Sequence, residues 1–375
     1  MRSMQHLNFR SASSPTATPR RALRGFTLAE AGAVAAVVAI ATAVTIPVFR
    51  RVGCSAGRAQ SAAQLATLAA AHTAYAADFN DRQYTACPDN LGVFGGSFST
   101  YQAQLGCIPN MTIGTTSGGE TLTLGHGSGD CPGVPGGGLF QIPLDMASTS
   151  MVGSYRWTNV REFNGYVNGR FYDQTFYAPD DPAMTRKVQK WIDEGRDVER
   201  DAQNDILNTT YDYSPAAMYH PRVFGDGTLA SAPSYQSPNA VANGEGYRSP
   251  SNSQCQYPSL KTRMLERHCM EPYLGPNPAY AGGRTPFLWT QSFRARAQAL
   301  FFDGSVRLFT TAEAMDAEGR ARVPGSTTIR ARLWVRNSIY GDGFGAEQAD
   351  DFVVDTGAHY LTAGGIRGRD TLSPP

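Results

Sequence analysis

The N-terminal part of the chain contains one long run of apolar residues. From Gly25 to Phe49 the sequence reads GFTLAEAGAVAAVVAIATAVTIPVF, which is 25 residues with a single ionisable side chain, Glu30. At a helical rise of ~1.5 Å per residue the run is ~37 Å long, which exceeds the ~30 Å hydrocarbon core of a bilayer. The pattern predicts a helix that crosses a membrane once, with residues 26–49 in the bilayer.

The next residues, 50–80, have the pattern of an amphipathic helix. Their larger side chains recur at intervals of three and four positions: Leu65, Leu68, His72, Tyr75 and Phe79. This spacing places them on one face of a helix that ends near residue 80. We expect the face to pack under a globular part, with His72 as a packed side chain rather than a metal ligand.

Two regions of the remaining chain, 81–375, have strand signals. Aromatic residues alternate with polar ones over 151–178, with turns expected near Asn164-Gly165 and Asn168-Gly169. The segment ALFFDGSVRLF, residues 299–309, has Asp303-Gly304 between two apolar arms, which predicts a tight hairpin.

Other segments of the head predict a helix and two long loops. Residues 181–207 place apolar side chains among charges, as in an amphipathic helix. The segments 114–138 and 221–260 are rich in Gly, Pro, Ser, Thr and Asn and predict surface loops. The expected fold is therefore α+β: a long N-terminal spine helix, membrane-embedded in its first half, packed on an antiparallel sheet with long loops.

Charge indicates how the chain is oriented and which partners it lacks. The 33 basic and 32 acidic residues give a net charge of +1, so no overall field favours nucleic acid. The first 24 residues are rich in Ser, Thr and Pro and contain five arginines and no acid, which predicts a disposable leader with a cytoplasmic N-terminus. The head would then lie outside the inner membrane.

Six cysteines are consistent with an oxidising compartment outside the cytoplasm. We expect one bridge between Cys255 and Cys269 and another within the group Cys87, Cys107 and Cys131, although connectivity does not follow from sequence. His268 next to Cys269 lacks the spacing of a zinc site, so a disulfide or a free thiol is the better interpretation.

Glu30 needs a partner, because a carboxylate in a membrane helix costs about 2.5 to 3.5 kcal/mol on insertion scales. Cleavage after Gly25 would create an amino terminus on Phe26, one helical turn from Glu30. The residues Gly25, Phe26, Thr27, Leu28 and Glu30 look like the prepilin cleavage and methylation motif of type IV pilins and type II secretion pseudopilins.

This resemblance implies a role for each matching position. Prepilin peptidase would cut between Gly25 and Phe26 and methylate the new Phe26 nitrogen, which Glu30 would neutralise in an adjacent subunit. Pro47 falls where the family often has a helix-kinking proline. Leu28 would contribute to the contacts between packed spine helices, together with Val34, Val37, Val38 and Ile40.

The resemblance extends weakly along the chain. The segment AQLATLAAAHTAYAADFNDRQYTACP, residues 63–88, looks like the spine of major pseudopilins. The Asp303-Gly304 hairpin and the tail GGIRGRDTL, residues 364–372, look like the C-terminal region of large bacterial pilin-like proteins. That subgroup has a histidine ten residues before the aspartate; here the position is Phe293, so a role of that histidine does not transfer.

Three other interpretations of the N-terminus fit less well. A secretory signal peptide has an apolar region of roughly 7 to 15 residues and a small-x-small cleavage site, whereas this run is longer and ends with Pro47-Val48-Phe49-Arg50. Lipid attachment at Cys54 would need an aliphatic residue where Arg51 stands. A plain membrane anchor leaves Glu30 and the Gly25-Phe26 junction unexplained.

The sequence contains no recognisable catalytic motif. P-loop, dinucleotide and HExxH patterns are absent, and the glycines of a nucleophile elbow are replaced by His126 and Asp130 around Ser128. Pseudopilins of the secretion class have a calcium site in a C-terminal loop, and Asp342, Asp350 and Asp351 are the candidate ligands here. Their spacing does not match an EF-hand.

The sequence thus predicts a structural pilin or pseudopilin, not an enzyme, with no required cofactor. It would be processed by prepilin peptidase and assembled from the inner membrane with copies of itself or other pilins. The alternative is a membrane-anchored extracytoplasmic binding or enzymatic domain that uses the same processing signal.

Overall fold

The structure is a computed structural model. It describes residues 56–85, 111–115, 121–124, 142–144, 153–179, 181–195, 209–225, 235–269, 287–288, 296–321, 333–335 and 358–373, together with positions 35, 100 and 104. The chain divides into two compact units, residues 1–53 and 54–375. Almost all described residues belong to the second unit.

The described residues combine helices with antiparallel strands, so the predicted α+β class is confirmed. The helices are α1 (56–78), α2 (Arg161–Asn164), α3 (Pro182–Glu194), α4 (Pro215–Met218) and α5 (Thr311–Ala321). The strands are β1 (Met111–Thr115), β2 (Thr121–Leu124), β3 (Tyr211–Tyr213), β4 (Thr262–Glu266), β5 (His268–Cys269), β6 (Phe287–Leu288), β7 (Arg296–Phe301) and β8 (Val306–Thr310).

The central sheet has the strand order β3-β4-β7-β8, and every neighbouring pair is antiparallel. The residues of β3 and β4 are all buried, and the last five residues of β7 are buried as well. A strand that is buried along its whole length must satisfy its polar side chains inside the protein. This requirement explains why clusters of buried polar side chains lie beside the sheet.

Helix α1 confirms the predicted amphipathic pattern. Leu65, Leu68 and His72 are buried in the core, and Tyr75 is half-buried. Phe79 lies just beyond the helix and is 46% exposed, with its ring stacked 4.2 Å from Tyr75. The interval of three and four positions therefore identified the packed face correctly, except at its last position.

The predicted hairpin at 299–309 is confirmed and lies within β7 and β8. The strands pair in register from Arg296↔Thr310 to Leu300↔Val306. Gly304 has a φ of 83°, a conformation that glycine adopts readily, and Asp303 Oδ1 accepts the Ser305 amide at 2.9 Å. The turn residues therefore have the roles expected from the sequence.

The strands predicted over 151–178 are wrong. This region forms the short helix α2 and 3-10 turns at Ser154–Arg156 and Gln174–Phe176. Its aromatic side chains are nevertheless buried, except the half-buried Tyr166. Their alternation with polar residues therefore reflects packing into the core and not an extended backbone. Near the predicted second turn, Gly169 does adopt a positive φ, 69°.

The other predicted boundaries need adjustment. Helix α3 stops at Gly195, whose φ of 65° ends the helix before the predicted residue 207. Part of the predicted loop 114–138 forms the β1–β2 hairpin. In the loop predicted at 221–260, the described residues form 3-10 turns, for example Ala242–Tyr247, and bury Phe224 and Val241.

In the part of the chain that the structure describes, no helix has the length and hydropathy needed to cross a membrane. The predicted membrane segment 26–49 lies outside the described residues, except Ala35, which is helical.

Candidate functional site

Most residues predicted from the sequence to have a function lie outside the described residues. These are the processing and assembly positions Gly25, Phe26, Leu28, Glu30 and Pro47 and the candidate calcium ligands Asp342, Asp350 and Asp351. Among the described residues, no group of three or more His, Cys, Asp or Glu side chains is placed to hold a metal ion.

Cys255 is a free thiol in the structure, so the bridge predicted to Cys269 is not formed in it. Cys255 follows the 3-10 turn Asn252–Gln254, and the chain then runs through the extended residues of β4 and β5. Burial raises the pKa of the Cys255 thiol to about 11.

The best-defined feature among the described residues is the contact between α1 and the head. Besides its buried leucines, α1 contributes Gln64 and Ser61, both of which are buried. Tyr211 Oη donates to Gln64 Oε1 at 2.7 Å, and Gln64 Nε2 donates to the Gln174 carbonyl at 2.8 Å. Ser61 Oγ lies 3.0 Å from Tyr211 Oη and donates to Glu266 Oε1 at 3.4 Å.

Glu266, at the end of β4, is thereby tied to two elements. Its Oε2 also accepts the Gln298 amide of β7 at 3.1 Å. We call Ser61, Gln64, Tyr211 and Glu266 the docking seam. Each of these hydrogen bonds can form at only one position of α1 along the sheet. The docking seam therefore fixes how α1 lies on the sheet.

His72 lies in an aromatic enclosure farther along α1. Its ring centroid is 4.5 Å from that of Phe163 and 5.1 Å from that of Tyr213. Both ring nitrogens are buried and make no hydrogen bond to another described residue. Burial lowers the pKa of His72 well below its usual value, and the charge of Arg263 lowers it further. The ring is therefore neutral at neutral pH.

The opposite face of α1 is exposed, and none of the exposed side chains between residues 56 and 77 is charged; Arg58 is half-buried. The exposed positions include a line of alanines at intervals of three and four residues: Ala59, Ala63, Ala66, Ala70, Ala74 and Ala77. The exposed Thr67 and Thr73 hydroxyls donate to carbonyls of the helix itself, at 3.1 and 3.0 Å. We call this surface the alanine face.

A second buried feature ties the C-terminal segment to the sheet. Lys261 Nζ donates to Asp370 Oδ2 at 2.8 Å, and both side chains have 0% exposure. The same ammonium donates to Ser214 Oγ at 2.8 Å and to Thr362 Oγ1 at 2.9 Å. Asp370 also accepts the amides of Thr262, at 3.0 Å, and His359, at 2.9 Å.

The electrostatics of this cluster favour an ionised carboxylate. Burial alone would raise the pKa of Asp370, but the charges of Lys261 and His359 and the hydrogen bonds of Lys261 and Thr262 lower it to about 2. Burial, followed by the charge of Lys261, lowers the pKa of His359 to about 3. At neutral pH the cluster thus holds one buried ion pair and a neutral imidazole.

The close contact between Ser214 Oγ and Lys261 Nζ has the residue types of a nucleophile and its general base. A general base must be neutral and must be able to reach a substrate. Lys261 is instead an ammonium held by Asp370, and neither side chain is exposed. The cluster therefore serves to anchor residues 358–373 against β4.

Sequence reasoning missed both the docking seam and the Lys261–Asp370 pair. Lys261 precedes a strand whose pattern gives no sign of burial, and its partner is 109 positions away. The one local signal was the Gly364-Gly365 pair, whose φ values of 75° and 59° indicate a tightly packed turn. A Cβ at Gly365 would lie 2.7 Å from the Ala216 carbonyl oxygen.

Comparisons of the chain with protein-family models, with curated proteins and with solved structures gave no match.

Replacing Lys261 tests the buried pair. We expect Lys261→Met to lower the free energy of unfolding by about 3 to 5 kcal/mol, because Asp370 is left as a buried charge without a cation. The double variant Lys261→Met/Asp370→Leu should recover much of this loss. Urea unfolding of the full chain measures both effects.

The matched control is Arg320→Met, which removes an exposed ion pair with Asp316 on α5. Its expected cost is below about 1 kcal/mol. A Lys261→Met variant that is no less stable than this control would contradict the assigned role of the pair.

Replacing His72 tests the aromatic enclosure through pH. The folded-state pKa of His72 lies below its unfolded value, so the stability that the neutral ring provides is present above about pH 6.5 and is lost as pH falls. We expect His72→Phe to reduce the dependence of unfolding free energy on pH below that point by up to about 1.4 kcal/mol per pH unit. Urea unfolding at a series of pH values measures the slope.

At neutral pH the same variant should differ from the native chain by less than about 1.5 kcal/mol, since an aromatic ring is retained. An unchanged slope would mean that His72 is not buried as a neutral ring. His220→Gln is the control, because His220 is only half-buried.

Proposed function

We propose that the chain is a structural subunit of the pilin or pseudopilin kind, assembled through its N-terminal helix into a filament. The observation that carries the proposal is the alanine face of α1. An exposed helix of a monomeric protein normally presents charged residues to water. Here the exposed side chains from 56 to 77 are mainly alanine, with threonine and glutamine.

Small side chains favour close packing of helices. Ridges and grooves formed by alanine allow two helix axes to approach to roughly 8 Å, the lower end of the usual range. A long helix that is fixed to its own head on one side and offers such a face on the other is suited to pack against other helices. This is the arrangement that helix-to-helix assembly requires.

The fixed position of α1 is the second support. The Tyr211–Gln64 hydrogen bond of the docking seam ties α1 to β3, and Gln64 also donates to the Gln174 carbonyl in a 3-10 turn of the head. An assembly contact made by the helix is thereby transmitted to the head without a flexible joint. Each subunit added to a filament would present its head at a defined height.

The N-terminal residues complete the proposal. Prepilin peptidase would cut between Gly25 and Phe26, and residues 26–49 would hold the subunit in the inner membrane with the head in the periplasm. Glu30 would then pair with the Phe26 nitrogen of a neighbouring pilin or pseudopilin during assembly into a type IV pilus or a type II secretion pseudopilus. No cofactor or catalytic step is part of this function.

Mass spectrometry of the mature N-terminus tests the processing step. We expect a chain that begins with N-methylated Phe26 in cells containing prepilin peptidase. Glu30→Ala should leave cleavage intact and abolish recovery of the protein in sheared filaments, because the charge on the Phe26 nitrogen would lack its partner. Glu194→Ala, at the end of α3, is the control. An intact leader, or a start beyond Pro47, would rule the proposal out.

A charge on the alanine face tests the assembly contact. Ala70→Lys is expected to reduce the filament fraction at least tenfold, because an ammonium would be buried between helices without a partner. Lysine has nearly the helix propensity of alanine, so the subunit itself should fold normally. Gln189→Lys on the exposed side of α3 is the matched control. Equal recovery of both variants in filaments would show that the alanine face is not the assembly contact, whereas absence of the native chain from filaments would favour the membrane-anchored domain.

A further inference from the structure

A cleft of about 170 Å³ lies where the chain leaves α1. It is lined by Arg82, His220, Arg248, Ser249, Pro250, Ser251 and Gln254. This volume is roughly ten times the space that one water molecule needs. It therefore suits a small polar ligand.

The backbone around the cleft is held in place. Arg82 forms an antiparallel bridge with Ser251, and the Gln83 amide donates to the Pro250 carbonyl at 3.2 Å. The Ser249 hydroxyl donates to the Gln83 carbonyl at 2.5 Å. Because these contacts join two distant parts of the chain, the lining residues keep their spacing without a ligand.

In the part of the chain that the structure describes, arginines outnumber carboxylates around this cleft, and the Arg82 guanidinium also donates to the Ser249 carbonyl. Arg82 and Arg248 line it, and the charges of Arg222 and Arg367 also act on its His220. Burial lowers the pKa of His220, Glu245 opposes this effect, and the charges of Arg222, Arg367 and Arg248 lower the pKa further. The local excess of positive charge stands out in a chain whose net charge is only +1.

Two described carboxylates lie nearby, fewer than the arginines. Glu245 lies at the rim, 3.4 Å from Arg248 and 3.9 Å from His220, and is 38% exposed. Asp81 accepts the Ser253 amide at 2.8 Å. Among the described residues, two arginines thus line the cleft and two more lie close enough to act on its His220. Arginine forks are well suited to bind the oxygens of an oxyanion.

The cleft also contains an acceptor. Gln254 lines it, and the Gln254 Oε1 atom is buried and makes no hydrogen bond to any residue that the structure describes. A buried acceptor without a donor costs about 1 to 3 kcal/mol, so a ligand that brings an O–H group is favoured over one that does not. Hydrogen phosphate carries such a group together with negatively charged oxygens, whereas sulfate and carboxylates carry none at neutral pH.

We propose that this cleft is a binding site for inorganic phosphate. Arg82 and Arg248 hold its charged oxygens, and Gln254 Oε1 accepts its O–H. The proposal rests on the cleft alone and is independent of filament assembly.

Calorimetric titration of the full chain in detergent at low ionic strength tests the site. Inorganic phosphate should bind saturably, and about tenfold more tightly than sulfate, because the two dianions share size and shape but only phosphate can donate to Gln254. No saturable binding of phosphate, or equal affinity for both ions, would overturn the proposal.

Two variants separate the charge from the hydrogen bond. Arg248→Gln should weaken the binding of both ions about tenfold, the usual size of one charge-assisted hydrogen bond. Gln254→Met should remove the preference for phosphate and leave the affinity for sulfate nearly unchanged. Arg320→Gln, an equally paired arginine outside the cleft, is the control and should bind phosphate as the native chain does. If Arg248→Gln bound phosphate like this control, the site would lie elsewhere.

Discussion

The buried carboxylate of Asp370 is the interaction on which the order of the head depends most. It accepts hydrogen bonds from the Lys261 ammonium, the Thr262 amide and hydroxyl, the His359 amide and the Thr362 hydroxyl. Removing a charge from water is tolerable only when such a set of donors is complete. The donors come from β4 with the preceding Lys261 and from the C-terminal segment, residues 358–373. The Asp370 charge can therefore be buried only when both parts of the chain are in place.

The docking seam applies the same principle to α1. Apolar contacts such as those of Leu65 and Leu68 are not directional, so alone they would allow the helix to shift along the sheet. A shift by one turn would separate Gln64 from Tyr211 and from the Gln174 carbonyl and leave the buried Gln64 amide without either hydrogen bond. At about 1 to 3 kcal/mol for each buried unpaired group, one position of the helix is strongly preferred.

The parts of the fold that were predicted correctly are those set by local pattern. Three such features are the packed face of α1, the existence of α3 and the turn at Asp303-Gly304. Each depends on residues close in sequence, so its periodicity or turn residues can be recognised in the sequence itself. The region 151–178 was misinterpreted because burial of its aromatic side chains resembles strand propensity. The docking seam and the Lys261–Asp370 pair join residues more than 100 positions apart, so no local pattern could reveal them.

The two faces of α1 differ in the kind of contact that they can make. Its inward face combines leucines with hydrogen-bonding side chains and so specifies one partner surface in one position. Its outward face presents mainly methyl groups, which can pack against another helix with small side chains and do not require a particular pattern of hydrogen-bond donors and acceptors. A filament subunit needs this difference, because the head must stay rigidly attached to its own helix while neighbouring helices meet repeatedly along a common axis. The alanine face, which carries no charged side chain among its exposed residues from 56 to 77, is therefore the feature on which the proposal of assembly rests.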